Sequence, residues 1–307
     1  MDWLLIYLGL AWGPVLVAVV AAIGIRFTAL REVPSATGTA RVLVILAGVI
    51  PTLLMLTPRL TWFGPGDLPI ALVMWLVDPG VMAALPLALG LLAVLVLAFR
   101  PSHTPPAHAA VMTRRTMMTF VGRGWPISTL ALTVVILGIT LAAGSVSRPD
   151  DLGQYRMYSV EIGTMEISSE IYGWHYSIPA LTMLGILLLA TLAIWWATAR
   201  PAWGDDVAAD TAARRRHTAD VGRMTTGALL IHLSAILSSL GGTASIRGMA
   251  TTSELGSIST GTPFAALGPA LQTAAWLALA AGLTLWILTA VLGIPARARR
   301  LESVPTR

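Results

Sequence analysis

The chain has 307 residues, of which 56% are hydrophobic and only 11% are charged, and its net charge is +5. A soluble domain needs roughly a quarter of its residues charged, so this composition excludes a water-solvated globular protein and predicts an all-α membrane helix bundle. All 20 basic residues are Arg and there is no Cys, which excludes a retinal Schiff base, disulfides and thiolate metal sites. The Arg residues cluster beside apolar runs, so we expect a lipid bilayer as the partner and no nucleic acid.

Seven apolar runs predict helices that cross a bilayer. The first lacks a basic leader, which predicts a retained span rather than a cleaved signal peptide. The third run is too long for one span, and Asp78 followed by Pro79 predicts an N-cap and a helix start inside it. The predicted spans cover residues 3–25, 42–56, 79–99, 126–143, 179–199, 226–242 and 269–294.

The distribution of Arg predicts the orientation of these spans. Sixteen of the 20 Arg residues fall in loops on one side or in the C-terminal tail, and only Arg59, Arg148, Arg156 and Arg247 fall on the other. By the positive-inside rule, the Arg-rich side is cytoplasmic. We therefore expect a multi-pass protein of a bacterial plasma membrane, with its N-terminus outside and its C-terminus in the cytoplasm.

The outer segments differ in pattern. Apolar and polar residues alternate from Tyr158 to Ile167 around Gly163, which predicts a small extracytoplasmic β-hairpin. Residues 68–77 are expected to lie in the membrane interface, and Tyr172, Trp174 and Tyr176 to form an aromatic belt. Residues 243–267 are rich in Ser, Thr and Gly, which predicts an irregular segment.

The outer carboxylates allow two interpretations. Glu161, Glu166, Glu170 and His175 lie near Asp150 and Asp151. Hard oxygen ligands suit a divalent cation, but no metal-loop spacing is present, so we expect a solvated acidic hairpin and no metal or cofactor. An interface enzyme would require a carboxylate and a His to converge near Glu170 and His175.

A match of the chain with itself at an offset of one hundred residues predicts a tandem duplication within a single transmembrane domain, residues 1–307. Arg100-Pro101 recurs as Arg200-Pro201, and residues 121–123 recur as residues 221–223 with the same Val-Gly-Arg. The predicted units are residues 79–148 and 179–247. Both run in the same direction, so the repeat is parallel and not inverted.

His232 is the one ionisable residue well inside a predicted span. Such residues are costly in a membrane and suggest function, but small residues share its helix face, which is typical of helix packing. If it lines a polar site, its partners are Ser239, Thr182 and Gln272. The Arg-rich loops have two readings as well, namely topology alone or contact with anionic lipid or a protein partner.

Three blocks of sequence, residues 113–123, 172–176 and 261–269, resemble uncharacterised multi-pass membrane proteins of high-GC Gram-positive bacteria. The resemblance implies a membrane bundle and no particular activity. No catalytic motif is present, so we expect a non-enzymatic membrane component, such as a partner or sensor subunit. It would make contact through the Arg-rich loops or the outer hairpin. The alternative is a permease or transporter subunit with a mid-membrane polar site around His232.

Overall fold

The computed structural model describes seven stretches of the chain, residues 2–30, 38–60, 78–99, 116–162, 165–200, 207–252 and 256–295. Long apolar helices make up most of these stretches, and two small antiparallel sheets lie between them. The helices are α1 Asp2–Phe27, α2 Gly38–Leu60, α3 Pro79–Ala98, the short α4 Met117–Phe120, α5 Gly124–Ser145, α6 Trp174–Thr198, α7 Val207–Ala244 and α8 Gly268–Gly293.

Six helical segments among the described residues are long and apolar enough to cross a membrane. They are Gly38–Pro58, Pro79–Ala98, Gly124–Ser145, Trp174–Thr198, Val207–Ala244 and Ala265–Gly293. The apolar part of α1, Ala11–Phe27, is shorter. The predicted all-α polytopic bundle is confirmed, because each of these segments contains or overlaps a predicted span.

The start of α3 confirms the predicted helix boundary. The Asp78 side chain accepts hydrogen bonds from the backbone N–H groups of Gly80 at 2.9 Å and Val81 at 3.0 Å. Pro79 takes the first helical position, where its missing N–H costs nothing. The interfacial segment predicted for residues 68–77 lies outside the described residues.

Helix α7 is much longer than the span predicted at residues 226–242. It has 38 residues, or about 57 Å at 1.5 Å per residue, against a hydrocarbon core of about 30 Å. Its first half, residues 207–225, was expected to be a basic loop. This half is nevertheless helical and mostly buried, with Thr218, Val221 and Met224 inaccessible.

The first sheet contains the predicted hairpin. Strand β2, Tyr155–Ile162, pairs antiparallel with β3, Met165–Glu170, and β1, Arg148–Pro149, adds a short third strand. The second sheet corrects the prediction of an irregular segment at residues 243–267. There β4, Arg247–Thr252, pairs with β5, Gly256–Gly261. Tyr158 and Phe264 make an edge-to-face contact at 5.4 Å, so both sheets lie on one side of the bundle, the sheet side. The opposite end is called the arginine side.

The core of the bundle forms around α7, which packs against α3, α5, α6 and α8. Small residues allow close approach: a Cβ at Gly227 would meet the Trp286 ring, and one at Gly90 would meet Ala228. Tryptophans then bond the helices together. Trp286 of α8 donates to the Met224 carbonyl at 3.0 Å, and Trp195 of α6 donates to the Thr218 carbonyl at 3.2 Å.

The predicted duplication remains a prediction. In both proposed units a strand follows the second helix, beginning at Arg148 in one and at Arg247 in the other. The repeated Val-Gly-Arg differs in conformation, because residues 121–123 separate α4 from α5 whereas residues 221–223 lie inside α7. Superposition of the pairs α3–α5 and α6–α7 tests the duplication, and crossing angles of opposite sign would contradict it.

Candidate functional sites along α7

Charged side chains of α7 are buried at the arginine side. The Arg214 guanidinium has no exposed surface and donates to the Asp210 carboxylate at 2.9 Å. It also donates to two carbonyls at the end of α6, those of Thr198 at 2.6 Å and Arg200 at 2.9 Å. The last carbonyls of a helix lack intrahelical donors and carry partial negative charge. Arg214 therefore caps α6 while Asp210 neutralises it.

Asp220 is the centre of a second group of charges on the same helix. It accepts a hydrogen bond from Arg223 and lies 3.8 Å from the Arg216 guanidinium. Arg216 also donates to the Leu292 carbonyl at 2.7 Å, in the last turn of α8. The two groups, Asp210, Arg214, Arg216, Asp220 and Arg223, are called the inner charged cluster. It attaches α7 to the ends of α6 and α8.

The segment around α4 packs against another side of the inner charged cluster. Thr218 donates to the Phe120 carbonyl at 2.8 Å, and the Arg214 guanidinium lies 5.1 Å from the centre of the Phe120 ring. A Cβ at Gly222 would meet the Trp125 indole, so glycine is needed for this close approach. The arginines at 214, 216 and 223 thus have intramolecular roles that neither topology nor lipid binding would require.

His232 lies further along α7, towards the sheet side, and is completely buried. Its Nδ1 is 2.7 Å from the Ala83 carbonyl of α3. The His232 ring therefore joins α7 to α3 through a hydrogen bond, which is the kind of interhelical contact that the packing interpretation predicts.

Tyr172 lies beside His232 and Thr140 lies beside Tyr172, and each of these three residues has a buried polar atom without a hydrogen-bond partner among the described residues. These atoms are His232 Nε2, the Tyr172 hydroxyl and the Thr140 hydroxyl. The Tyr172 ring meets the His232 ring edge-on, with centroids 6.2 Å apart. The Thr140 hydroxyl lies near the Tyr172 hydroxyl, but the two do not meet hydrogen-bond geometry. We call these three residues the outer polar cluster.

The residues predicted to share a site with His232 make their described hydrogen bonds elsewhere. Thr182 is exposed and its hydroxyl donates to the Ile178 carbonyl of its own helix at 3.0 Å. Gln272 is also exposed and donates to the Ser238 carbonyl at 3.2 Å. Ser239 is half-buried beside that carbonyl. None of the described hydrogen bonds joins these three to His232, so a common role for the four residues remains a prediction.

The predicted aromatic belt is wrong for two of its three members. Tyr172 and Tyr176 are only 2% and 5% exposed, so they pack inside the protein instead of facing an interface. Burial raises the pKa of the Tyr172 hydroxyl, which keeps it protonated. The Trp174 ring fills the space beside Gly144 at the end of α5.

Arg156 organises the sheet side of the protein. It donates to Asp150 at 2.6 Å, pairs with Glu170 at 3.3 Å and reaches the Tyr176 hydroxyl at 3.5 Å. The Tyr176 and Asp150 hydrogen bonds raise the pKa of Arg156. A backbone hydrogen bond from Gln154, helped by Arg156, lowers the pKa of Asp150. The contacts of Arg156 thus join the three-stranded sheet to the start of α6.

The remaining acidic residues near the three-stranded sheet form no shared site within the described stretches. Glu166 lies 3.7 Å from Arg148 in an exposed ion pair. His175 packs edge-on against Tyr176 at 5.0 Å, while Glu170 is paired with Arg156. No three described His, Asp or Glu side chains are grouped as a metal site requires.

The sheet is also bonded to the far end of α7. Thr243, in the last turn of that helix, donates to the Glu170 carbonyl at 2.9 Å. The Ile171 N–H donates to the Arg156 carbonyl at 2.8 Å, which carries the chain from β3 towards Tyr172. One continuous helix therefore contacts the sheet at one end and contains the inner charged cluster at the other.

Comparisons with protein-family models, with curated proteins and with solved structures find no significant match to this chain. The geometry of these sites is therefore what indicates a function.

The inner charged cluster was missed in the sequence because its residues were assigned to a basic loop. The sequence nevertheless contains a signal for this cluster. Asp210 with Arg214 and Arg216 with Asp220 are both spaced four residues apart, as ion pairs on one helix face are. The contacts of Tyr172 with His232 and Thr140 had no local signal, because the three residues lie on separate elements.

Proposed function

We propose that the protein is a non-enzymatic membrane component, a sensor or partner subunit that links its sheet side to its arginine side through α7. The observation that carries this proposal is the continuity of α7, from Asp210 in the inner charged cluster to Thr243 at the sheet. A rigid helix with specific contacts at both ends can transmit a displacement or a change in stability.

The proposal includes seven spans in a bacterial plasma membrane, with the sheets outside and the arginine side in the cytoplasm. The asymmetric distribution of Arg supports this orientation. The chain has no Cys, so a single introduced cysteine is a unique label. Ser168→Cys in β3 and Ala212→Cys in α7 are both at exposed positions. An impermeant maleimide applied to intact cells should label Ser168→Cys alone, and labelling of Ala212→Cys alone would contradict the orientation.

Hydrogen exchange tests the link through α7. Thr243→Val removes the hydrogen bond to the Glu170 carbonyl and should increase amide exchange both in the sheet and in residues 207–225. The matched control is Thr182→Val, because the Thr182 hydroxyl is exposed and bonds only within α6. An increase confined to the sheet and the last turn of α7 would contradict transmission.

A permease or transporter subunit is the second candidate. The buried polar atoms around His232 favour it, since transport requires polar groups inside the bilayer. The exposed positions of Thr182 and Gln272 count against a continuous polar path. Purified protein in liposomes containing a pH-sensitive dye tests proton flux. Flux that His232→Asn abolishes in a folded protein would support transport over the sensor proposal.

A further inference from the structure

The threonine of the outer polar cluster does not use its hydroxyl for an intrahelical bond. Several buried or partly buried helical threonines donate to the carbonyl four residues earlier, as in Thr52, Thr191, Thr284 and Thr289, whereas Thr129, Thr140 and Thr226 do not. This bond satisfies a hydroxyl that has no other partner. Thr140 has no exposed surface and does not make it. Its hydroxyl instead neighbours that of Tyr172.

The hydrogen-bond partner of His232 fixes the chemistry of its other nitrogen. A backbone carbonyl only accepts, so the Nδ1 that lies 2.7 Å from the Ala83 carbonyl carries the proton. In a neutral imidazole the other nitrogen is then an acceptor. Nε2 is buried and has no donor among the described residues. A buried acceptor left unsatisfied loses its hydrogen bonds to water and destabilises the folded protein.

The cluster therefore presents one obligatory acceptor and two hydroxyls that can donate or accept. We infer that the outer polar cluster binds a small neutral molecule that donates a hydrogen bond to His232 Nε2 and bonds to the Tyr172 and Thr140 hydroxyls. Ordered water and the hydroxyl end of an organic ligand share this chemistry. Buried waters typically make about three hydrogen bonds to groups of this kind.

Charge argues against an ion at this place. A hard cation requires several oxygen ligands, usually including carboxylates, and an anion requires cationic donors. The cluster offers a neutral nitrogen and two neutral hydroxyls, and no charged side chain is bonded to it within the described residues. The inference does not depend on transmission through α7, because it concerns only the contacts among α3, α5, α7 and Tyr172.

Thermal unfolding of the full chain in detergent distinguishes a bound molecule from three unsatisfied groups. With a bridging molecule, Thr140→Val and Tyr172→Phe each remove a hydrogen bond and should lower the melting temperature by about 3 °C. Without one, each substitution removes only the cost of burying a hydroxyl, and the melting temperature should stay the same or rise. Thr129→Val is the matched control, since the Thr129 hydroxyl on α5 is also buried and unpartnered but belongs to no cluster.

A double-mutant cycle separates a bridging molecule from a direct bond between Tyr172 and Thr140. His232→Asn retains a donor near the Nδ1 position and deletes Nε2. The His232 and Thr140 side chains share no described contact, and Tyr172 lies against both. Non-additive effects of His232→Asn and Thr140→Val, together with destabilisation by Thr140→Val, are therefore the result that one bound molecule joining them requires. Additive effects, or stabilisation by Thr140→Val and Tyr172→Phe, would overturn the inference.

The source of the molecule follows from solvent extraction and mass spectrometry of the purified protein. An organic ligand should be recovered at about one per chain from the unmodified protein and be lost from Tyr172→Phe. Coupling without a recovered molecule identifies water.

Discussion

The two polar clusters on α7 differ in charge and in how their groups are paired. In the inner charged cluster, Arg214 donates to a carboxylate and two helix-terminal carbonyls, and Asp220 lies between two arginines. Asp220 Oδ2 and Arg216 Nε make no hydrogen bond among the described residues, but they lie 3.8 Å apart as an ion pair. In the outer polar cluster, three buried atoms of neutral groups have no described partner. Paired buried groups hold the elements of a structure together, whereas groups with remaining hydrogen-bonding capacity are where a ligand gains the most. We therefore attribute a structural role to the inner charged cluster and binding to the outer polar cluster.

The largest effect should come from breaking the inner cluster. Arg214→Ala leaves the Asp210 carboxylate buried and removes the cap of α6, which should destabilise the protein by about 3–5 kcal/mol. The neighbouring Arg215 is exposed, so Arg215→Ala should change stability by less than about 0.5 kcal/mol. Folded yield and thermal unfolding in detergent measure both. Equal losses of stability in the two variants would show that removal of a charge, and not its burial, determines the destabilisation.

A smaller effect should follow from removing the imidazole altogether. His232→Phe fills the site but loses the bond to the Ala83 carbonyl, which should cost about 1 kcal/mol. His232→Asn should retain part of that bond. A protein as stable with Phe as with His would mean that this interhelical bond contributes nothing.

The sheet side provides a pH-dependent test of its ion pairs. The pKa of Asp150 is lowered in the folded protein, so its stabilising effect is present above the unfolded value of about 3.9. That stabilisation is lost as the pH falls through the lower folded value. The protection factors of the amides in β1 and β2, which correct for the intrinsic effect of pH on exchange, should fall as the pH is lowered below about 4. In Asp150→Asn this fall should disappear, and an unchanged pH dependence would assign the effect to other carboxylates.

The smallest effect should come from Thr182→Val. Because Thr182 is exposed and bonds only to its own helix, stability should change by less than about 0.5 kcal/mol, and the outer polar cluster should keep its bound molecule. If this substitution caused loss of a bound molecule, Thr182 would belong to the polar site around His232 that the sequence predicts.

The sequence predicted those features that have a local physical signal. Apolar length identified the spans, Asp78 and Pro79 marked the start of α3, and period-two alternation marked the β2–β3 hairpin. Each depends on residues close together in the chain. The β4–β5 hairpin was missed because its Ser, Thr and Gly residues do not alternate with apolar ones.

The candidate sites were less accessible to prediction because they depend on packing. His232 was identified from its position in an apolar run, but Tyr172 and Thr140 reach it only through the tertiary fold. Hydropathy alone also did not identify residues 207–225 as the first half of α7. Its charged residues resemble those of a loop, although their spacing matches ion pairs on a helix.

Hydrogen exchange along α7 in the unmodified protein tests most directly whether this helix is one continuous element with a buried charged half. We predict that amides around Asp220, inside the inner charged cluster, exchange as slowly as those around His232. Fast exchange at residues 207–225, with protection only at residues 226–242, would contradict the account. Such a result would mean that the arginines of the inner charged cluster lie in a solvated loop.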